Sequence, residues 1–442
     1  MKKLNLILSF AVFLLADASL LAENTLFKPP FKHTYGINKG DEKKLDMLLG
    51  NATDFVDPQG IACTRRDATN KPGKDDDPEL TVYGVNSGKG QIIYNKSMKA
   101  LGLFGKEGRG DGEFRNPHGI FARRDGIVLV ADTDNKRIQM LRHGKNGLRF
   151  DKNIGEGKLH KPWDVQLTPT DTIMVSDYMT NSIHYFDLSG RHLGEVASDK
   201  LIMPLGMDMD NKRLRKSRYH SNTIFVIDSL GKRINKLSYD SHILRRARLS
   251  DFGYPKGVVV YCALDYDNNL YLPDTVNHKI HKLDNDLRHL KSTGQYGTKD
   301  ALEFNYPRGI DIWRQFGQVF ISERASAQYY WLGVDIDRLE VRYYSDSLRE
   351  KVDIDIFLTQ KAYFDLVITG PDGFELDYCK RQRRLQQGEQ NLKWDMKDES
   401  GRRVKPGIYT FEFLFEPTYS SHTFLEIPMK KKVKIPPKPD FK

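Results

Sequence analysis

Short apolar runs, separated by Asp, Asn and Gly turns, recur along most of this 442-residue chain. The clearest stretch is FRNPHGIFARRDGIVLVADTDNKRIQML, residues 114–141. It reads Pro-x-Gly, an apolar run and an Asp-Gly turn. A second apolar run then ends in Ala-Asp-Thr-x-Asn, and a third begins Arg-Ile-Gln. Runs of this length between turn residues predict β-strands, and long helical patterns are hard to find.

The unit repeats. Pro-x-Gly or a close variant stands at Pro58, Pro117, Pro162, Pro204, Pro255 and Pro307, with spacings of 59, 45, 42, 51 and 52 residues. An acidic residue closes the middle strand in five copies: Asp132, Asp177, Asp228, Asp274 and Glu323. The first copy aligns with Gly84 at that place. Periods of this size mark a four-stranded unit that buries its faces only against its neighbours. Gly after Pro-x is expected to let the chain turn tightly. Asp132, Thr133, Asn135 and Arg137 read as turn-makers rather than catalysts, because short polar side chains bond to turn amides. Long insertions at 65–79 and 211–221 leave one face of the disc, opposite the Pro-x-Gly loops.

The run from Gly110 to Gln139 resembles the NHL repeat family (G-x-F-x-x-P-x-G-I, then V-A-D-T-x-N-x-R-I-Q). That resemblance implies an all-β fold, a six-bladed β-propeller over residues 23–335, with a segment near residues 35–50 closing the last blade. In repeat 5 a start at Pro255 puts Lys256 in the Pro-x-Gly slot, but a start at Val259 fits the spacing equally.

Beyond the repeats, residues 336–351 read as a linker. Residues 352–429 show strand alternation divided by Pro371-Asp372-Gly373 and Glu399-Ser400-Gly401. The pattern W-D-x-x-D-x-x-G-x-x-V-x-x-G-x-Y from Trp394 to Tyr409 resembles the Ig-like module at the end of the flagellar hook-capping protein. It implies a small Ig-like β-sandwich with Trp394 as a core anchor, and such modules serve as stalks, spacers and docking domains. A basic, Pro-rich tail, 430–442, follows.

Composition adds direction. Lys2 and Lys3, an apolar stretch and small residues up to Ala22 read as a signal peptide, so export to the periplasm or cell surface is expected. The chain carries a formal charge of +10, and the mature chain would carry about +9. Three Cys residues are too few for a disulfide framework, so Cys63, Cys262 and Cys379 read as free thiols.

No nucleophile elbow, HExxH, CxxC or P-loop occurs. The fold also resembles peptidyl-α-hydroxyglycine lyases, which hold zinc through His in the Pro-His-x slots. Here those slots read Gln59, His118, Trp163, Leu205, Lys256 and Arg308, and His118 is the one residue suited to zinc. The calcium set of gluconolactonase-like propellers does not assemble at matching positions. No metal or cofactor is therefore expected. If the slots ring one mouth of the channel, Gln59, His118, Trp163, Lys256 and Arg308 could stack on a sugar or hold a carboxylate. The insertion residues Lys212, Arg213, Arg215, Lys216 and Arg218 are candidates for an anion-binding surface. The reading is an exported, non-catalytic binding or scaffold protein whose partner is a protein or an anionic polysaccharide. It has no specific nucleic-acid role and no transmembrane span. The alternative is a propeller lyase or lactonase-like hydrolase working at the channel mouth.

Overall fold

The computed structural model describes residues 23–29, 39–50, 52–68, 80–97, 100–210, 222–345, 350–398 and 400–437. Residues 1–22, expected as a signal peptide, and residues 211–221 lie outside them. The chain divides into two units: residues 26–333 with 417–426, and residues 334–416 with 427–442 and the N-terminal residues to Thr25.

The first unit is a six-bladed β-propeller. Blade 1 comprises Pro58–Arg65, Leu80–Asn86, Gln91–Ser97 and Ala100–Phe104. Blade 2 comprises Pro117–Ala122, Ile127–Asp132, Arg137–Gly144 and Gly147–Ile154. Blades 3, 4 and 5 repeat the antiparallel order, with inner strands Pro162–Leu167, Met207–Asp210 and Ala263–Leu264. Blade 6 has Ile310–Trp313, Gln318–Glu323 and Ser326–Leu332. Inner strands lie beside one another around the ring, and that of blade 6 lies beside that of blade 1. The cores are packed between blades, as where Val165, Ile173 and Val175 of blade 3 cluster with Leu129, Ala131 and Ile138 of blade 2.

Two short N-terminal strands pair with the last strand of blade 6 and supply its outer edge. Lys39–Asp41 pairs with residues 326–328, within the segment expected to close the ring. Leu26–Phe27 pairs with Leu332 and Trp331 and was not foreseen. A helix, Glu42–Leu49, follows, capped by Asp41 and ended by Gly50 at φ 60°.

Pro-x-Gly works differently from the expectation. Gly60, Gly119, Gly206 and Gly309 are absent from the left-handed region; the residues before the prolines, Asp57, Asn116, Met203 and Tyr306, occupy it instead. The glycines permit close approach between blades. A Cβ on Gly60 would lie 2.7 Å from the carbonyl oxygen of His118, and one on Gly309 would strike the carbonyl of Gln59. In blade 3 Asp164 takes this place and accepts the Met207 N–H of blade 4 at 2.9 Å.

Register corrects two alignments. Pro58 pairs with Asn86 as Pro117 pairs with Asp132, so Asn86, rather than Gly84, closes the middle strand of blade 1. Its Oδ1 accepts the Val56 N–H at 2.8 Å, as Asp132 accepts that of Arg115. In blade 5 Val259 pairs with Asp274, so Val259 takes the proline position and Val260 the slot. Lys256 is exposed outside the slot.

The second unit is a β-sandwich. One sheet orders Ile336–Ser345, Glu350–Leu358 and Gly388–Trp394; the other orders Glu375–Leu385, Ala362–Thr369, Gly407–Pro417 and Ile427–Ile435. The stretch expected as a linker is thus largely a strand, and the basic tail forms strand as far as Ile435. Alternate residues of Ala362–Thr369 are buried, giving each sheet one apolar face. Trp394 is fully buried with Tyr409 and Phe411 around it at ring separations of 5.4 and 5.7 Å. Residues 417–426 belong to the propeller unit, where Tyr419 joins the core cluster of Ile312, Val319 and Tyr330.

Candidate functional site

The axis of the propeller is polar and tied across its blades. Each tie begins with a carboxylate on an inner strand. Asp164 accepts Val165 N–H and Met207 N–H, both at 2.9 Å. Asp208 of blade 4 accepts Leu264 N–H of blade 5 at 2.8 Å. Asp311 of blade 6 accepts Cys63 N–H of blade 1 at 2.6 Å. Arg314, at the end of the inner strand of blade 6, reaches Asp208 at 2.8 Å and the Met209 carbonyl at 3.0 Å. The guanidinium thus ties the inner strands of blades 6 and 4 together across the axis.

Burial pushes the Asp164 carboxyl up to about 7; Asp208 and Asp311 add to the rise, against its two N–H bonds. Burial likewise raises Asp311 to about 6. Cys63 and Cys262 are buried. The Cys262 thiol is held well above its ordinary range by burial, then by Asp208 and Asp164, which makes it a poor nucleophile. The Cys379 side chain lies outside the described residues. Among the described residues no three His, Cys, Asp or Glu side chains are grouped to hold a metal ion.

One mouth carries the slot residues. The Trp163 and His118 rings lie 4.0 Å apart at a tilt of 37°, and Tyr178 and Tyr261 lie 6.3 and 6.4 Å from the indole. His118 Nδ1 is 2.9 Å from both Asn116 O and Thr133 Oγ1. Asn116 O only accepts, and Thr133 donates its own proton to Pro162 O at 2.7 Å. Nδ1 therefore carries the imidazole proton and Nε2 the lone pair. Burial lowers the His118 pKa to about 4, so the ring is neutral at physiological pH. Gln59 donates to Asp57 at 3.0 Å, and Arg308 forms an ion pair with the same carboxylate.

The structure therefore brings Gln59, His118, Trp163 and Arg308 to one mouth, with Leu205 and Val260 filling the remaining slots. Lys256 is not among them, because blade 5 starts four residues later than the proline spacing suggests. Lys212, Arg213, Arg215, Lys216 and Arg218 lie outside the described residues. Sequence reasoning missed Asp57, Asp208 and Arg314. Asp208 and Asp311 share the fourth position after the proline, which was the available signal for the axial carboxylates.

The turn residues are structural in their contacts. Asp132 is fully buried and accepts from Arg115 N–H at 2.8 Å and Arg137 Nε at 2.9 Å. Asp274 does the same for Val258 N–H at 3.0 Å and His281 Nε2 at 3.1 Å.

These features define a six-bladed propeller with charged ties across its axis and an aromatic cluster among its Pro-x-Gly slots. No protein-family model matches the chain. One curated protein, Protein brain tumor of Drosophila melanogaster, is 27% identical over 148 residues, 32% of this chain and 14% of that protein. The chain therefore spans a small part of that relative's length. Among solved structures, PorZ of Porphyromonas gingivalis, a bacterial surface component of the type-IX secretion system, is similar at TM-score 0.43 and 14% identity. That likeness covers 89% of this chain and 54% of PorZ. A gluconolactonase of Xanthomonas campestris gives TM-score 0.44 and 13% identity, covering 66% and 94%. Virginiamycin B lyase of Staphylococcus aureus gives 0.40 and 13%, covering 57% and 77%. No helix among the described residues is long and apolar enough to cross a membrane.

Proposed function

We propose that this is an exported, non-catalytic binding protein that holds a protein partner or an anionic polysaccharide on a face of its NHL-type propeller. The N-terminal segment directs export to the periplasm or cell surface, and the sandwich is an Ig-like spacer or docking module. The observation that carries the reading is the use made of the axial charges. Asp164, Asp208 and Asp311 each accept a backbone N–H from the next blade, and Arg314 is spent on Asp208. Charges committed to holding blades together leave the aromatic mouth and the loop surface around it as the ground for recognition.

The test is affinity isolation of the tagged full-length chain from the envelope of its own organism, with protein and uronic-acid analysis of what accompanies it. A stoichiometric companion supports the reading; a lone monomer counts against it. The second reading, a lyase or lactonase-like hydrolase, draws on His118, whose neutral ring keeps an Nε2 lone pair at the mouth. Turnover of a lactone by the native chain, lost in His118→Ala, would favour it.

A further inference from the structure

At two equivalent positions in each blade the Pro-x-Gly face differs between its halves, although Val56 and Tyr306, each 38% exposed, stand on the second half. In blades 3, 4 and 5 the slot residues are Trp163, Leu205 and Val260; in blades 6, 1 and 2 they are Arg308, Gln59 and His118. The second residue after the strand-closing acid or amide follows the same split. In blades 3, 4 and 5 it is Met179, Leu230 and Val276, exposed by 62%, 56% and 47%. In blades 6, 1 and 2 it is Ala325, Gly88 and Asp134. These positions are equivalent by the repeat, so all lie on one face.

The apolar side chains of blades 3 and 4 adjoin. Ile202, 52% exposed, bridges blades 3 and 4: its carbonyl accepts Ser229 N–H at 2.6 Å, and the next residue, Met203, donates to Asn181 Oδ1 at 2.8 Å. Beneath it, Trp163, Tyr178 and Val260 pack on the core cluster that contains Leu205. Large side chains standing in water on three successive turns, over a floor of half-buried aromatics, mark a surface that another molecule covers. In the inter-blade connections of this half, beside the exposed Asp199 and Asp251, Lys158, Lys232 and Lys256 form no ion pair among the described residues; Lys232 instead donates to the carbonyls of Lys256 and Gly257.

We infer that blades 3–5 of this face dock a partner protein through an apolar segment flanked by acidic side chains. The aliphatic side chains would lie along Met179, Ile202, Leu230 and Val276, and the carboxylates would meet the three lysines. This rests on the binding reading above and adds which half binds and what it binds.

The test places a photo-crosslinking amino acid singly at Met179, Leu230 and Val276, and at Gly88, Asp134 and Ala325, in the full-length chain expressed in its own organism. The expected result is one adduct from the first three sites, at least tenfold above the second three. The crosslinked peptide should be apolar with acidic flanks. Leu230→Asp, with the crosslinker at Val276, should reduce the yield at least tenfold while the melting temperature stays unchanged. Equal or greater yield at Gly88, Asp134 and Ala325 would overturn the assignment and leave the binding function standing. An adduct with a second copy of this chain, with lipid or with a basic peptide would also overturn it. No adduct at any site would overturn both the assignment and the binding function.

Discussion

Arg314 and Asp208 meet across the axis of the propeller, 2.8 Å apart, although one belongs to blade 6 and the other to blade 4. The pair skips blade 5 and offsets part of the charge of three axial carboxylates. Arg314→Met should therefore leave the largely enclosed Asp208, whose side chain is 13% exposed, without its ion partner beside Asp164 and Asp311. Removing one partner of a buried pair costs about 3–5 kcal/mol. Denaturant unfolding should show a loss of that order at pH 8 and a smaller one at pH 5, where Asp164 and Asp311 hold protons. Adding Asp208→Asn should recover much of the loss. Equal losses at both pH values would contradict the electrostatic account.

Asp164 makes a separate pH prediction. Its folded pKa of about 7 lies above the ordinary carboxylate value. The folded state therefore holds a proton that the unfolded chain has released. This contribution to stability is full below the unfolded pKa and is lost as pH rises through 7, at up to about 1.4 kcal/mol per pH unit. His118 acts with the opposite sign: its pKa falls to about 4, so its contribution is present above about 6.5 and lost as pH falls through 4. Asp164→Asn should flatten the fall in stability between pH 5 and 7. An unchanged slope in that variant would exclude Asp164 as its source.

The blade-to-blade glycines predict a contrast. A Cβ at Gly309 would meet the carbonyl of Gln59, and one at Gly60 would meet that of His118. Each Ala substitution should cost about 1–3 kcal/mol, because backbone must move to admit the methyl group. Gly144, with open space where its Cβ would stand, should accept Ala within about 0.5 kcal/mol. Unfolding midpoints of the three variants check this directly.

Asn86 tests the register of blade 1. Its amide accepts Val56 N–H at 2.8 Å and donates to Asp54 O at 2.7 Å. Asn86→Ala strands buried polar groups and should cost about 1–3 kcal/mol. Gly84→Ala, whose Cβ would stand 3.9 Å from Ile93 O, should be close to neutral. The reverse order would restore the alignment with Gly84.

The six-fold repeat was legible because strand length, turn residues and strand-closing acids all recur at one period. Where a copy departs from it, local pattern misleads. Pro255 imitates a blade start, but Val259 holds the proline's place in the ladder, and Lys256 moves out of the mouth. Asn86 was passed over because an amide does the work of the acid. The strand at 336–345 looked like a linker because its buried residues, Ile336 and Leu339, are few among charged neighbours. Contacts such as Arg314–Asp208 and Arg308–Asp57 join residues far apart in sequence, and composition carries no trace of them. The divided face became visible once the register of blade 5 placed Val260 beside Leu205 and Trp163.

The central claim is that the Pro-x-Gly face is a binding surface and that its apolar half is the part covered. Amide hydrogen exchange measures this directly, on the native protein isolated with what it carries and again after that companion is stripped away. The account predicts slower exchange in the carried state for the turns at 178–181, 229–232 and 275–278, with the turns at 87–90, 133–136 and 324–326 unchanged. Identical exchange in all six turns, or protection confined to the second three, would contradict it.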